Sequence, residues 1–355
     1  MTPVEERLKR RIALTGPISI AEFMAACVSD PDGYYARQDP FGTGGDFVTA
    51  PEISQMFGEL VGAWLLDRWH QDGAPHPVDL VELGPGRGTL MADVLRVLQR
   101  DARFLGASRV VLVEASDRLK QRQRTLLAPL HPRVTFADAL PEERTIYLIA
   151  NEFFDALPIR QFVRQDHRWF ERTVGLKDGE LTFGLSPFPA PVAGEAPEGT
   201  VKEICAAGEG FAQAIGARIA GERRGAALII DYGYADAAGA DTLQAVRAHR
   251  HADVLSAPGQ TDLSAHVNFS ALAERASRAG AFVHGPVGQG AFLVALGLLE
   301  RAGQLGRDAD EISRGAISDA VNRLAGSGEG EMGVLFKAMA VTAQEAPPTG
   351  FAPRG

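Results

Sequence analysis

The chain has 355 residues, 45% of them apolar and 23% charged, which is the balance of a globular protein and excludes disorder throughout. At about 150 residues per domain, this length allows two domains or one large domain with insertions. With 36 Lys+Arg against 45 Asp+Glu, the net charge is −9 and no long basic block occurs. A phosphate backbone rewards clustered cations, so a dedicated nucleic-acid binder is disfavoured. Two cysteines, Cys27 and Cys205, make neither a disulfide framework nor a cysteine-ligated metal cluster, and they fit a reducing compartment. The opening segment carries charges of both signs, including Glu5 and Glu6, and leads into no apolar signal core. No apolar run approaches the length of about 18 residues that a membrane span needs. A cytoplasmic protein without an integral membrane segment is expected.

Residues 1–77 read as a helical N-terminal cap. Ser19-Ile-Ala-Glu22 has the form of a capping box, and the helix it opens should stop before the turn sequence Asp30-Pro31-Asp32-Gly33. Phe41 to Asp46 is too glycine-rich for a regular element, whereas Ser54 to His70 carries Met56, Phe57, Leu60, Val61, Trp64 and Leu65 at helical spacing. From residue 78 the pattern becomes strand, loop, helix, repeated. Strands are expected at 78–83, 109–114, 134–136 and 145–150, with helices at 89–103 and 116–127. Such alternation predicts an α/β fold with a parallel sheet covered on both faces. Residues 159–200 interrupt the rhythm with short strands around Phe162, Trp169 and Leu181, and the stretch Pro187 to Pro197 reads as a surface linker. A helix at 203–222, a fifth strand at 226–231 and a helix at 270–279 follow. The apolar runs 281–287 and 334–341 are expected to close the sheet as an antiparallel pair. The domain organisation is thus a cap at 1–77, a core at 78–158 and 201–345, and an inserted antiparallel segment at 159–200.

The sharpest motif is Glu82-Leu-Gly84-Pro-Gly86-Arg-Gly88-Thr89. Glycines directly after a strand let backbone amides approach a ligand near a helix N-terminus. The dinucleotide fingerprint would need glycine at 89, and Pro85 removes an amide that a pyrophosphate would use. A ligand with little phosphate therefore fits better than NAD. Glu114, ending the second strand, can accept both hydrogen bonds of a ribose diol. Asp138, after the third strand, is placed for an adenine amine. Glu82 is a buried carboxylate in need of a cationic partner. Together these positions suggest S-adenosylmethionine. At the end of the fourth strand, Asn151-Glu152-Phe153-Phe154-Asp155 faces the same crevice, where Phe153 and Phe154 can wall the site and Glu152 and Asp155 can orient a basic acceptor.

With Gly45 to Gln55, Asp231-Tyr-Gly233 and Asp262 to Phe269, these motifs resemble the MidA-like methyltransferases, relatives of the mitochondrial complex I assembly-factor arginine methyltransferase. The resemblance spans roughly residues 15–341. It implies a class I, Rossmann-like fold with a seven-stranded sheet and S-adenosyl-L-methionine as cofactor. It also implies symmetric dimethylation of an arginine in the quinone-side subunit of respiratory complex I. Guanidinium is always protonated, so carboxylates must hold it; Glu152 is the first choice, with Asp155 and Asp231 beside it. On this resemblance Gln55, Glu82, Gly84, Gly86, Glu114, Asp138 and Asn151 serve the cofactor, while Asp46, Phe153, Phe154 and His266 serve the lid and the acceptor. A protein substrate is the expected partner, and a homodimer is left open. A small-molecule methyltransferase and a cofactor-binding assembly chaperone without turnover are the competing readings. His249 and His251 form an H-x-H pair with no further ligand beside it, so no metal site is expected. Neither a P-loop nor a nucleophile-elbow motif occurs.

Overall fold

The computed structural model describes residues 1–34, 49–235, 241–247 and 250–352. Two compact units divide the chain: residues 1–47, 155–209 and 236–266 form one, and 48–154, 210–235 and 267–355 form the larger other.

The larger unit is built on a sheet of β1 (Val78–Leu83), β2 (Ser108–Val113), β3 (Val134–Ala137), β4 (Thr145–Asn151), β5 (Ala226–Tyr234), β6 (Phe282–Gly288) and β7 (Phe336–Thr342). Their spatial order is β3-β2-β1-β4-β5-β7-β6, and the short strand Val267–Asn268 pairs with the end of β5 as an eighth. The pairings among β1 to β5 are parallel, while β7 runs antiparallel to both β5 and β6. β1 and residues 145–150 of β4 are buried throughout, as their unbroken apolar runs require of a sheet covered on both faces. Because β1 to β5 are parallel, their carboxyl ends lie along one edge, and residues 84–88, 114, 138, 152–154 and 231 gather there.

The smaller unit is antiparallel. Strands Ile18–Ser19, Arg168–Lys177, Arg160–Gln165 and Val201–Ile204 lie in that order, with Glu180–Pro189 also paired to Arg168–Lys177. Helix Ile20–Ser29 opens on the expected capping box: the Glu22 amide donates to Ser19 Oγ (3.2 Å) and the Ser19 amide to Glu22 Oε2 (2.9 Å). It ends at Asp30, where the turn sequence begins.

Several boundaries differ from the sequence reading. Helix Gln55–Gln71, grouped there with the N-terminal cap, packs on helix Thr89–Leu98 in the larger unit, and residues 236–266 join the smaller one. The helix expected over 89–103 breaks because Asp101 caps a new one, accepting from the amides of Arg103 and Phe104. The start of the helix expected at 203 is strand Val201–Ile204, whose Glu203 is buried and takes hydrogen bonds from Gln161 and Thr242. Helices Gln289–Ala295, Leu298–Gly306 and Glu311–Ala325 had no sequence expectation.

Gly62 lies where helix Gln55–Gln71 crosses its neighbour, and a Cβ there would stand 3.0 Å from the Val94 carbonyl oxygen and 3.1 Å from its Cα. Gly62→Val is expected to cost about 1–3 kcal/mol by overpacking. Thermal unfolding followed by circular dichroism reads this as a lowered melting temperature, and an unchanged one would contradict the close crossing.

Candidate active site

β1 runs into a loop whose three glycines all take left-handed backbone: φ is +60° at Gly84, +52° at Gly86 and +82° at Gly88. L side chains are strained there, and a Cβ on Gly84 would stand 2.9 Å from the Phe153 ring. The Gly84 amide donates to the Val113 carbonyl (3.1 Å), tying the loop to the end of β2. Beyond the loop, the Thr89 hydroxyl donates to Glu52 Oε1 (2.7 Å), and Arg87 lies 3.7 Å from the other Glu52 oxygen.

The acids expected to serve a ligand stand in different settings. Glu82 is 3% exposed, and its Oε2 has no hydrogen-bond partner among the described residues. Burial, and secondarily the charge of Glu114, pushes its carboxyl up to about 8. Glu114 accepts from the Ser116 amide (2.8 Å) through Oε1 and from Gln123 Nε2 (3.1 Å) through Oε2. Burial raises its pKa, although those hydrogen bonds oppose the rise. Asp138, by contrast, has a 93% exposed side chain 3.7 Å from Lys120. Gln55 is exposed at the first position of its helix.

At the end of β4 the chain turns sharply. Glu152 adopts φ +50°, its amide donates to the Ile230 carbonyl (2.9 Å), and its Oε1 accepts from Asn151 Nδ2 (3.2 Å) and the Ala50 amide (3.3 Å). Asn151 Oδ1 is buried with no partner among the described residues. Asp231 is fully buried; its Oδ2 accepts from the amides of Phe153 (3.2 Å) and Phe154 (3.0 Å), and its Oδ1 from that of Tyr232 (2.9 Å). Sequence reasoning set Asp231 among the acids for the acceptor, but this geometry is that of an anchor for the turn. The rings of Phe153 and Phe154 meet edge-to-face, and Phe211 packs edge-on against both, at 5.2 and 6.5 Å.

Asp155 and His266 belong to the smaller unit. There the Asp155 carbonyl accepts from the Ala265 amide (3.0 Å), and the His266 amide donates to Thr242 Oγ1 (2.9 Å). Burial holds the His266 imidazole below its ordinary pKa. Asp46, the glycines 42, 44 and 45, and His249 lie outside the described residues. Sequence reasoning missed Phe211, Glu52 and Gln123. Gln123 had a signal, being the polar member of the i, i+4, i+8 series Leu119, Gln123, Leu127.

A buried carboxyl oxygen and a buried amide oxygen without partners among the described residues, beside a loop whose three glycines take left-handed backbone, fit a ligand carrying cationic and N–H groups. Glu114 adds acceptor capacity for a diol. S-adenosyl-L-methionine has an ammonium, a sulfonium and a ribose, so the residues present fit it. Fold and site together define a class I methyltransferase.

A family model described as "Putative S-adenosyl-L-methionine-dependent methyltransferase" matches residues 60–287. The "Protein arginine methyltransferase NDUFAF7, mitochondrial" of Danio rerio is 37% identical over 329 residues, 83% of this chain and 77% of that protein. The Homo sapiens protein of that name is 34% identical over 84% of this chain and 74% of its own length. A crystal structure from Burkholderia thailandensis bound to S-adenosyl-homocysteine matches with a TM-score of 0.84 and 30% identity, over 99% of this chain and 95% of that one. The chain belongs to this family of S-adenosyl-L-methionine-dependent methyltransferases. The same relatives overturn the cytoplasmic expectation, because they are named as mitochondrial proteins. That expectation leaned on Glu5 and Glu6, and Glu5 is spent on a capping box with Thr2 at the start of helix Pro3–Thr15, which carries no information about compartment.

The raised Glu82 carboxyl predicts a pH dependence. In the ligand-free fold Glu82 holds a proton that the unfolded chain releases near 4.5, so its contribution to stability is full below that value and is lost as pH rises through about 8. Glu82→Gln is expected to make the fall in melting temperature over this window shallower and to weaken S-adenosylhomocysteine binding. Melts across the window, with calorimetry, check both; an unchanged slope would refute the assignment.

Proposed function

We propose that this methyltransferase modifies arginine side chains of a protein partner by symmetric dimethylation, and that the partner is the quinone-side subunit of respiratory complex I, whose assembly it aids. The observation that carries the arginine reading is that relatives aligned over more than four-fifths of this chain are named protein arginine methyltransferases. The acidic and aromatic turn after β4 supports it chemically, and the complex I partner rests on the family resemblance of the motifs.

When bound, S-adenosyl-L-methionine supplies an electrophilic methyl group on a sulfonium. In this proposal the 84–88 loop offers close backbone approach, Glu114 accepts the ribose hydroxyls, and Glu82 and Asn151 face the charged end. Gln55 and Asp138 border the same edge. Glu152 accepts N–H bonds from the acceptor guanidinium, fixing which nitrogen points at the methyl, and its negative charge eases proton departure as that nitrogen reacts. Phe153, Phe154 and Phe211 keep water from that nitrogen, which strengthens the carboxylate–guanidinium attraction. Asp231 acts on the turn and does not touch the acceptor.

Glu152→Gln keeps the shape and removes the charge. It is expected to lower methyl transfer to an arginine-containing acceptor by about 100-fold or more, leaving S-adenosylhomocysteine affinity within a few-fold; equal loss of both would refute an acceptor-side role. Gly86→Val forces a branched residue into φ +52° and is expected to abolish S-adenosylhomocysteine binding while circular dichroism still reports a folded chain. For the partner, mass spectrometry of complex I subunits from a deletion strain should show loss of dimethylarginine from the quinone-side subunit. Retention of that mark would reject the substrate.

A further inference from the structure

Helix Asp117–Leu127 buries the stripe Leu119, Gln123, Leu127, in which an amide occupies a position that the helical period gives to an apolar residue. Gln123 is fully buried. Its Nε2 donates to the Gly86 carbonyl at 2.7 Å and to Glu114 Oε2 at 3.1 Å, while its Oε1 has no partner among the described residues. Both neighbours are acceptors only, so the amide has one satisfactory orientation, and its two N–H groups are both used. Its Cγ also lies 3.4 Å from where a Cβ on Gly88 would stand, so the side chain packs beneath the loop as well as bonding to it.

We propose that Gln123 is the positioning residue that sets ribose selectivity. It joins the tip of the glycine loop to Glu114, fixing the carboxylate through Oε2 while the Ser116 amide fixes Oε1. With the Ala115 amide also bonded to it, the carboxylate is held at a set distance from the loop backbone and presents its remaining acceptor capacity to a ligand hydroxyl. Without the Nε2 donor, only backbone amides of the adjoining turn hold the carboxylate, so Oε2 can shift relative to the loop, and the Gly86 carbonyl is released. Packing alone does not ask for this amide: the Leu119 and Leu127 positions of the same stripe are filled by leucine. The inference rests on the reading that Glu114 accepts the ribose diol.

The test pairs a substitution with a change in the ligand. Calorimetry measures the affinity of the full chain for S-adenosylhomocysteine and for its 2′-deoxy and 3′-deoxy analogues, in the natural protein and in Gln123→Leu, with Gln123→Met as a second apolar replacement should the leucine variant fail to fold. The natural protein is expected to prefer the intact diol by about 10- to 100-fold, ordinary for hydrogen bonds to a charged acceptor. In the variant that preference should collapse to within about threefold, beyond any common loss of affinity for all three ligands, as a coupled pair requires. A variant that binds all three ligands more weakly but keeps the full preference overturns the inference and leaves the Glu114 reading intact. A natural protein indifferent to the missing hydroxyls overturns the Glu114 reading itself, and the inference with it.

Discussion

The hydrogen bonds that the buried Asp231 carboxylate accepts from the amides of Phe153 and Phe154 are the constraint on which the candidate site depends. β4 ends at Asn151, and a non-glycine residue held at φ +50° directly after it costs roughly 1–3 kcal/mol. A charged acceptor bonded to backbone N–H groups contributes about 1.5–3 kcal/mol per bond, so the two from Phe153 and Phe154 outweigh the strain. The Glu152 amide adds a bond to the Ile230 carbonyl, one residue before Asp231, so the turn is fastened to β5 from both sides. The result is a carboxylate at the sheet edge whose backbone leaves it little freedom. A group that must align one guanidinium nitrogen gains from such rigidity, because less motion remains to be frozen when the acceptor arrives.

The same edge concentrates negative potential in a chain whose net charge is already −9. Burial raises the cost of ionising both Glu82 and Glu114, and the charge of Glu114 adds to that cost at Glu82. Left alone, such a pair favours keeping a proton near neutrality. A cationic ligand resolves the conflict by pairing with the charged form, and a 2′-phosphate on the ribose would aggravate it. The Glu82 oxygen without a partner among the described residues is thus a local instability that a cationic neighbour would relieve, which is how a site can discriminate by charge without a large contact area.

Much of this was legible in the residues. The five parallel strands fall within a few residues of their apolar runs, and the Ser19–Glu22 capping box is present as spaced. The tight turn at the glycine loop and the strand-end position of Glu114 were legible because both are local features of the chain. What escaped was set by tertiary partners. Asp101 has nothing in its immediate neighbours to mark it as a cap inside a helical pattern. Glu203 reads as a helix start until its strand pairing with Arg160–Gln165 is known. Asp231 looked like one more acid for the acceptor because sequence cannot tell a carboxylate that faces a ligand from one that faces three backbone amides. Asp138 stands at the strand end as its position suggested, with a side chain almost wholly exposed beside Lys120.

The departure at Thr89 from the dinucleotide fingerprint also has a structural account. In dinucleotide folds, glycine at that position permits close packing of helix on strand, and the pyrophosphate lies at the helix N-terminus. Here the Thr89 hydroxyl reaches Glu52, which also lies within ion-pair distance of Arg87. A carboxylate from segment Ala50–Ile53 therefore stands at the start of helix Thr89–Leu98, drawn to the positive end of its dipole. With that anion present, and with Pro85 lacking an amide, a pyrophosphate meets repulsion where a dinucleotide fold offers attraction. The segment carrying Glu52 also donates its Ala50 amide to Glu152, so the residues that turn the loop away from phosphates are joined to the turn after β4.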